Sequence, residues 1–410
     1  MIKINFYIMK RFKTFIIFII LVATWGIFFA SFKYFLWGDL GDSLKPDLQK
    51  IAGYMSLGGV FAYLIGGAFA STFLKKYYLF IISIFTFIFL LSSYLFGFST
   101  NTSFAFIITL IGFLYGLWNV VKSVLISMEI KKTGLRETVV NAYVGMVFVI
   151  FLIVGSILGN LIFEKLGHNG YIVLMGLMLF GSIISFNLDY DKIPFSFLTK
   201  NGWKIYLFGR KESLTKAIKA YIPDLKYIVK KYLYVIIGSS LLWAITTIVS
   251  QSSVEYSVNT FGIEASKASF LLLYSAVGAI AGNILSMKMN TNRWKFFIIF
   301  NTLFSFVIIA FPFFAKSFLY INIMASILGI FFGIISNLVD SYLMKSFGDE
   351  NKKEYGASTN GLVLSLVIVC MMFVSSSVLQ NFGYQTLMIS LGSISFVMGG
   401  VLFVKQRNIK

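Results

Sequence analysis

The chain has 410 residues, of which 58% are hydrophobic and only 12% charged, whereas a soluble domain runs near half apolar and a quarter charged. With one Cys (Cys370) and one His (His168), it can build neither an internal disulfide framework nor a Cys/His metal cage, which excludes zinc chemistry and Cys–His nucleophilic catalysis. The formal net charge of +19 suits either nucleic acid or a membrane surface, so its placement along the chain has to decide.

About twenty apolar residues cross a bilayer as a helix. The pattern predicts helix 1 at about 14–37, after Lys3, Lys10, Arg11 and Lys13. That run is too long for a signal peptide and no small-residue cleavage site follows it, so it is expected to stay in the mature protein. Loop 38–50 carries Asp39, Asp42 and Asp47. Helix 2 is expected at about 51–73, ending at Lys75-Lys76, helix 3 at about 77–97 and helix 4 at about 104–128. The loop EIKKTGLRET leads to helix 5 at about 139–163, and a tight EKLGHNG turn to helix 6 at about 170–188.

The one long interruption, 189–231, holds ten Lys or Arg against four acids. Within it Leu214, Ala217, Ile218, Tyr221 and Ile222 fall at helical spacing, with Lys216 and Lys219 off that stripe, before Pro223 breaks the pattern. This reads as an amphipathic helix on the membrane surface, inside a basic linker. Six more helices are expected at about 232–254, 266–287, 295–314, 318–343, 356–380 and 385–404. With the N-terminus in the cytoplasm, every Lys and Arg except Lys33, Lys45, Lys50, Lys122, Lys165, Lys267 and Lys316 falls on the cytoplasmic side, as basic residues of membrane proteins do. An odd number of spans would scramble this segregation. The expectation is an all-α polytopic protein of the cytoplasmic (inner) membrane, with twelve transmembrane helices and both termini cytoplasmic. The basic charge then marks topology and attracts anionic lipid on the cytoplasmic side, and nucleic acid is not expected as a partner.

An internal repeat divides the chain. GLWNVVKSVL (116–125) matches GIISNLVDSYL (333–343), so that Asn119 meets Asn337, Ser123 meets Ser341, and Lys122 meets Asp340. Gly67 and Ser71 match Gly282 and Ser286, and IFEKLG ending at Gly167 matches VLQNFG ending at Gly383, all at an offset of about 215 to 218 residues. The expected units are a six-helix bundle over 1–188, the linker 189–231 and a second six-helix bundle over 232–410. Two such halves in the same orientation form a transporter architecture with its substrate site between them, near the midplane.

On these residues the chain resembles the major facilitator superfamily (MFS) over nearly all its length. The family carries Gly-x-x-x-Asp-Arg-x-Gly-Arg/Lys after helix 2. Here Gly67 and Lys75-Lys76 are kept, while Ser71, Thr72 and Leu74 replace the Asp, Arg and second Gly. The resemblance implies that helices 1, 4, 7 and 10 line a central cavity, which would put Lys122 and Asp340 on cavity-lining helices. The run from GLWNVVKSVL through Glu129 to Asn141-Ala142 is also similar to the lysophospholipid-transporter branch, whose helix 4 has a Lys and a following acid. The chain departs from that branch in having no acid inside helix 1.

An ionisable residue in an apolar span is a candidate functional site, and here the repeat supplies a partner of opposite sign. Asn119 and Lys122 share a helix face, as do Asn337 and Asp340. Loss of either charge would leave the other uncompensated, at a cost on the order of 3–5 kcal/mol. An anionic substrate could open the pair by taking Lys122, or a proton by taking Asp340. A gate salt bridge and interfacial anchoring remain alternatives, since both residues lie one to two turns from the cytoplasmic ends. Trp118, one turn before Lys122, is a stacking candidate or simple packing. Lys33, beside Tyr34 and Trp37, either adds positive potential to the cavity or snorkels to the headgroups. Glu255 is a second proton-site candidate or a solvated helix end. Glu129, Lys131, Lys132, Arg136 and Glu137, with Lys75 and Lys76, read as a cytoplasmic gate cluster. Gly145, Gly155 and Gly159 of helix 5 and Gly361 of helix 11 read as packing surfaces.

No GxxxxGK[ST] phosphate loop occurs, so ATP-driven transport by this chain alone is not expected. A membrane enzyme would need a cluster of His, Asp or Cys at membrane depth that the chain does not offer. The expected function is secondary active transport by a monomer of a small organic solute, anionic or zwitterionic. Alternatives are a proton-coupled sugar or drug exporter, a lysophospholipid flippase, or a non-transporting receptor or scaffold. No cofactor is expected beyond a coupling ion, H+ or Na+.

Overall fold

The computed structural model describes residues 2–39, 48–72, 75–97, 101–188, 214–263, 265–268, 270–289, 294–346 and 350–406, and among them there is no strand. Apolar residues run around whole helix circumferences, and a helix is the one local structure that satisfies every backbone N–H and C=O of such a segment from within.

The first half is α1 (Ile2–Asp39), α2 (Leu48–Thr72), α3 (Lys75–Phe96), α4 (Asn101–Thr133), α5 (Glu137–Leu166) and α6 (Gly170–Phe186), with a 3₁₀ turn at Gly167–Asn169 joining the last two. The second half begins with α7 (Leu214–Phe261), α8 (Phe270–Ser286), α9 (Trp294–Phe314) and α10 (Phe318–Ser346). The stretch Glu350–Gln406 is broken at Gly383, whose φ of 80° and ψ of 175° leave the helix and separate α11 (350–382) from α12 (384–406). Eight stretches are long and apolar enough to cross a membrane. Two of these, Thr138–Ser185 and Ser358–Leu402, hold two helices each, and Ile51–Gly66 and Phe270–Ser286 are shorter apolar helices. The twelve-helix, six-plus-six layout is met. An even number of spans brings Ile2 and Gln406 to the same end of the bundle, called the terminal end below.

Two features differ from the sequence reading. Pro223 does not end a separate surface helix: α7 runs through it, and 214–222 form its first turns. Proline removes one backbone bond and crowds the carbonyl four residues back. Here it precedes the apolar span, which starts at Leu225, so the unbonded carbonyl lies outside that span and the helix continues. The linker section 189–213 lies outside the described residues. At the end of α4, nothing breaks the helix before Gly134 (φ 71°), so Glu129 lies inside the helix rather than in the following loop.

Each half has its own core, one built around Trp25, Phe28, Phe32, Trp118 and Tyr171, the other around Ile248, Phe304, Phe311, Ile335 and Met388. Equivalent helix pairs hold each core together. In the first half α2 packs on α4, where a methyl at Gly58 would meet the Thr109 carbonyl and one at Gly112 the Met55 carbonyl. In the second half α8 packs on α10, with Gly282 and Gly333 in the same relation to Ile330 and Ala279. Without side chains at these points the backbones approach closely, which is how helices associate where lipid offers no hydrophobic drive. Gly155 and Gly159 serve α1 and α5 likewise, and the Ser31 hydroxyl donates to the Gly155 carbonyl (2.9 Å). The halves meet mainly along α2–α11 and α5–α8, with further contact of α4 with α11 and of α5 with α10.

Candidate functional site

Tyr115, Trp118, Asn119 and Lys122 sit at the i, i+3, i+4, i+7 positions of α4, so they form one stripe. Trp118 is 1% exposed, stacked on Trp25 (5.4 Å between centroids, 24° between planes) and on Tyr115 (5.9 Å, 20°). It is packing on one face and a platform on the other, because the Lys122 ammonium lies 4.9 Å from its ring centroid and 4.6 Å from that of Phe148 on α5. Two aromatic faces thus hold a cation that has no hydrogen-bond acceptor among the described residues. Asn119 hydrogen-bonds with the side chains of Tyr63 on α2 and Tyr115 on its own helix, which fixes its amide beside the lysine.

Across the interface, Asp340 on α10 is the charge that acts on Lys122. The two face each other without a salt bridge, and the Asp340 carboxylate also lacks a hydrogen-bond donor among the described residues. Lys122 lies about two turns, and Asp340 about one, from the terminal ends of the spans Thr102–Ile130 and Phe318–Leu343. A cation and an anion with unused bonding capacity therefore flank the seam between the halves. Such an arrangement can bind a ligand between them or exchange a proton at the carboxylate.

Asn337, the repeat partner of Asn119, is used differently. Its Nδ2 donates to Ser286 Oγ (2.5 Å) on α8 and to the Thr138 carbonyl (3.4 Å) on α5, and its Oδ1 accepts from Ser341 Oγ (3.4 Å). Asn141 Nδ2 donates to the same Ser341 hydroxyl (3.2 Å). This polar knot ties α5 to α8 and α10 at the terminal end. Arg136 adds a second tie there, its Nη2 donating to the Met287 carbonyl (3.0 Å) just past the end of α8, where carbonyls lack helical partners. Glu129 is fully buried. The side chains of Lys75, Lys76, Lys131, Lys132 and Glu137 lie outside the described ones, as do those of Gly67 and Ser71.

Lys33 is half-buried on α1, with its ammonium 5.8 Å from the Tyr34 ring, and Glu255 on α7 is the charge that acts on it. Sequence reasoning treated the two separately and missed the juxtaposition. It also missed Tyr63, whose backbone carbonyl accepts from Ser358 of α11, and Phe148, an unremarkable aromatic until α5 packs beside α4. Tyr115 carried a usable signal, since it lies one turn above Asn119 on the same stripe.

Residues 14–363 match the sequence profile of the Major Facilitator Superfamily. No curated protein is similar enough to match the chain. Among solved structures, the nucleoside transporter NupG (D-to-A variant) superposes with a TM-score of 0.68 at 14% identity, covering 95% of this chain and 98% of that one. The human organic anion transporter MFSD10 (TETRAN) gives 0.66 at 9% identity over 96% and 99% of the two chains. The Escherichia coli fucose:proton symporter FucP gives 0.66 at 11% identity over 98% and 99%. At such identities the superpositions speak for the fold alone, whereas the profile spans most of the sequence: the chain belongs to the Major Facilitator Superfamily and has its transporter fold.

Proposed function

We propose that this protein is a secondary transporter that moves a small organic anion or zwitterion across the cytoplasmic membrane by rocking its two bundles around a site centred on Lys122. The observation that carries this reading is the Lys122 ammonium, held over Trp118 and Phe148 with no hydrogen-bond acceptor among the described residues and faced by Asp340 from the other bundle. An anionic group that enters the seam satisfies Lys122 and displaces Asp340, and a proton on Asp340 releases Lys122 for the anion. The coupling ion in this reading is therefore H+, with Asp340 as its acceptor. Both termini lie in the cytoplasm, consistent with the Lys and Arg segregation, and the knot of Asn337, Ser286 and Thr138 closes the cytoplasmic gate with Arg136. The protein works as a monomer and uses no cofactor. An organic anion transporter and a sugar:proton symporter share the fold, so both the substrate class and the coupling are within its reach.

The test is uptake into proteoliposomes from a panel of carboxylates, organophosphates, lysophospholipids, sugars and cationic drugs, with an imposed pH gradient. Lys122→Ala and Asp340→Ala are expected to abolish uptake of an anion that wild type accumulates, at normal expression and monodispersity. Normal uptake by both variants would sink the reading.

A further inference from the structure

A second concentration of unused polar capacity lies on α7. Gln251 is 3% exposed, and neither Nε2 nor Oε1 of its amide has a hydrogen-bond partner among the described residues. Buried amides are almost always paired, so a side chain with donor and acceptor both idle marks a place where a partner is missing. Its direction follows from the helix. Thr246, Val249, Ser250 and Ser253 line a small cavity inside the second bundle, and at about 100° per residue Gln251 and Glu255 fall on the opposite side of α7, one turn apart, toward the first bundle. Lys33 comes from that bundle. It stands on α1 between the face that packs on α4 through Trp25 and Phe29 and the face that packs on α5 through Gly26, Ile27 and Ala30.

Phe29 stacks on Tyr115 and Trp25 on Trp118, which sets the register of antiparallel α1 and α4 and puts Lys33 roughly 17 Å from Lys122 along the helix axes. The seam therefore carries two loci of the same design, a lysine from the first bundle and an acid from the second, one at each end of an aromatic column.

We propose that Lys33, Gln251 and Glu255 form a second binding locus, away from the terminal end, that takes the carboxylate and the ammonium of an amino-acid-type zwitterion. Lys33 and the Gln251 Nε2 donate to the carboxylate, while Glu255 and the Gln251 Oε1 accept from the ammonium. An anion without the ammonium leaves the Gln251 Oε1 idle, and a cation without the carboxylate leaves the Gln251 Nε2 idle. The separation is too long for a small zwitterion to span both loci, so this one is a station on the way to or from Lys122. The proposal rests on the transport reading and narrows its substrate to a zwitterion.

The experiment is a ligand-dependent thermal shift of the purified full-length protein in detergent. The probes are L-leucine and L-alanyl-L-alanine, with 4-methylpentanoate and 3-methylbutylamine as one-charge analogues of leucine. A zwitterion is expected to raise the melting temperature with concentration, and the analogues to fail at the same concentrations. Gln251→Leu and Glu255→Gln are expected to weaken zwitterion binding at least tenfold, and the exchange Lys33→Glu with Glu255→Lys to restore it. That rescue separates binding from a structural tie, which would change the melting temperature of the ligand-free protein and leave affinity unmoved. Three results overturn the proposal: no shift with either zwitterion, an equal shift with 4-methylpentanoate, or wild-type affinity in both α7 variants. Loss of zwitterion binding in Lys122→Ala alone, with both α7 variants unaffected, overturns the second locus and leaves the transport reading standing. Normal uptake in Lys122→Ala and Asp340→Ala removes the transport reading whatever the α7 variants do.

Discussion

Replacing Asp340 with Asn keeps the shape of the side chain and removes the carboxylate that acts on Lys122. The two groups stand farther apart than an ion pair, so at an effective dielectric of about 20 their attraction lies below roughly 4 kcal/mol. An anion binding at Lys122 must compete with that attraction. Removing about 1.4 kcal/mol of competition raises its affinity about tenfold. Asp340→Asn is therefore expected to bind the anion roughly ten times more tightly than wild type, while Lys122→Ala loses binding. The same variant cannot take up a proton at position 340, so accumulation driven by a pH gradient should vanish while exchange of internal for external anion persists. Equilibrium binding at fixed pH and ionic strength, paired with uptake under an imposed gradient, reads both effects. If Asp340→Asn weakened binding as much as Lys122→Ala does, the carboxylate would be holding the site together rather than competing for it, and the mechanism above would be wrong.

The terminal-end knot makes a different demand: Asn337→Ala leaves the Ser286 hydroxyl without its donor and takes from the Thr138 carbonyl the bond it makes outside its own helix, a cost of about 1–3 kcal/mol. A lower melting temperature with anion affinity within threefold of wild type is expected; lost affinity at unchanged stability would return Asn337 to the substrate site. Gly282→Val would push a side chain into the Ile330 backbone, and overpacking of this kind typically costs about 1–3 kcal/mol. Thermal scans and size-exclusion profiles should show the loss, and an unaltered melting temperature would mean that α8 and α10 do not pack as described. At the opposite end, burial pushes the Asp39 carboxyl above its ordinary value of 3.8, partly offset by His168, whose Nδ1 lies 3.6 Å away. The folded protein then holds more protons than the unfolded chain just above the usual carboxylate range. Stability should fall as pH rises through that window and level off beyond it, and Asp39→Asn should flatten the slope. Melting temperatures from pH 4 to 6 check this, and a rise with pH in wild type would mean that the His168 contact outweighs burial.

What the sequence made legible was whatever depends on one helix at a time. Run length and Lys/Arg placement gave the spans, and residue type gave Lys122 and Asp340, because a charge in an apolar run is visible without knowing its neighbours. The repeat placed these two on equivalent helices. It could not say how equivalent residues are used, because their neighbours differ. Asn119 bonds with Tyr63 and Tyr115 inside the first bundle, while Asn337 crosses from α10 to α5 and α8. Lys33 and Glu255 were hidden for the same reason. Each alone looks like an interfacial residue near the end of a span, and only the packing of α1 and α7 on either side of the seam brings them to one place. Glu129 was misplaced by a local error, since KKT continues the helix that a charge-rich segment suggested had ended.

The sign of each bundle links these observations to coupling. At both loci the lysine belongs to the first bundle and the acid to the second, so opposite charges face across the seam. A monoanion bound at Lys122 neutralises the lysine and strands the charge of Asp340 in apolar surroundings, which is costly unless the carboxyl takes a proton. Anion and proton should then move together, and uptake should scale with the pH gradient. A zwitterion satisfies both partners and leaves no charge stranded, so its uptake should be far less sensitive to the gradient. Measuring leucine and 4-methylpentanoate uptake side by side, with and without a pH gradient, tests this directly. Equal gradient dependence for the two would mean that the proton is carried elsewhere than at Asp340.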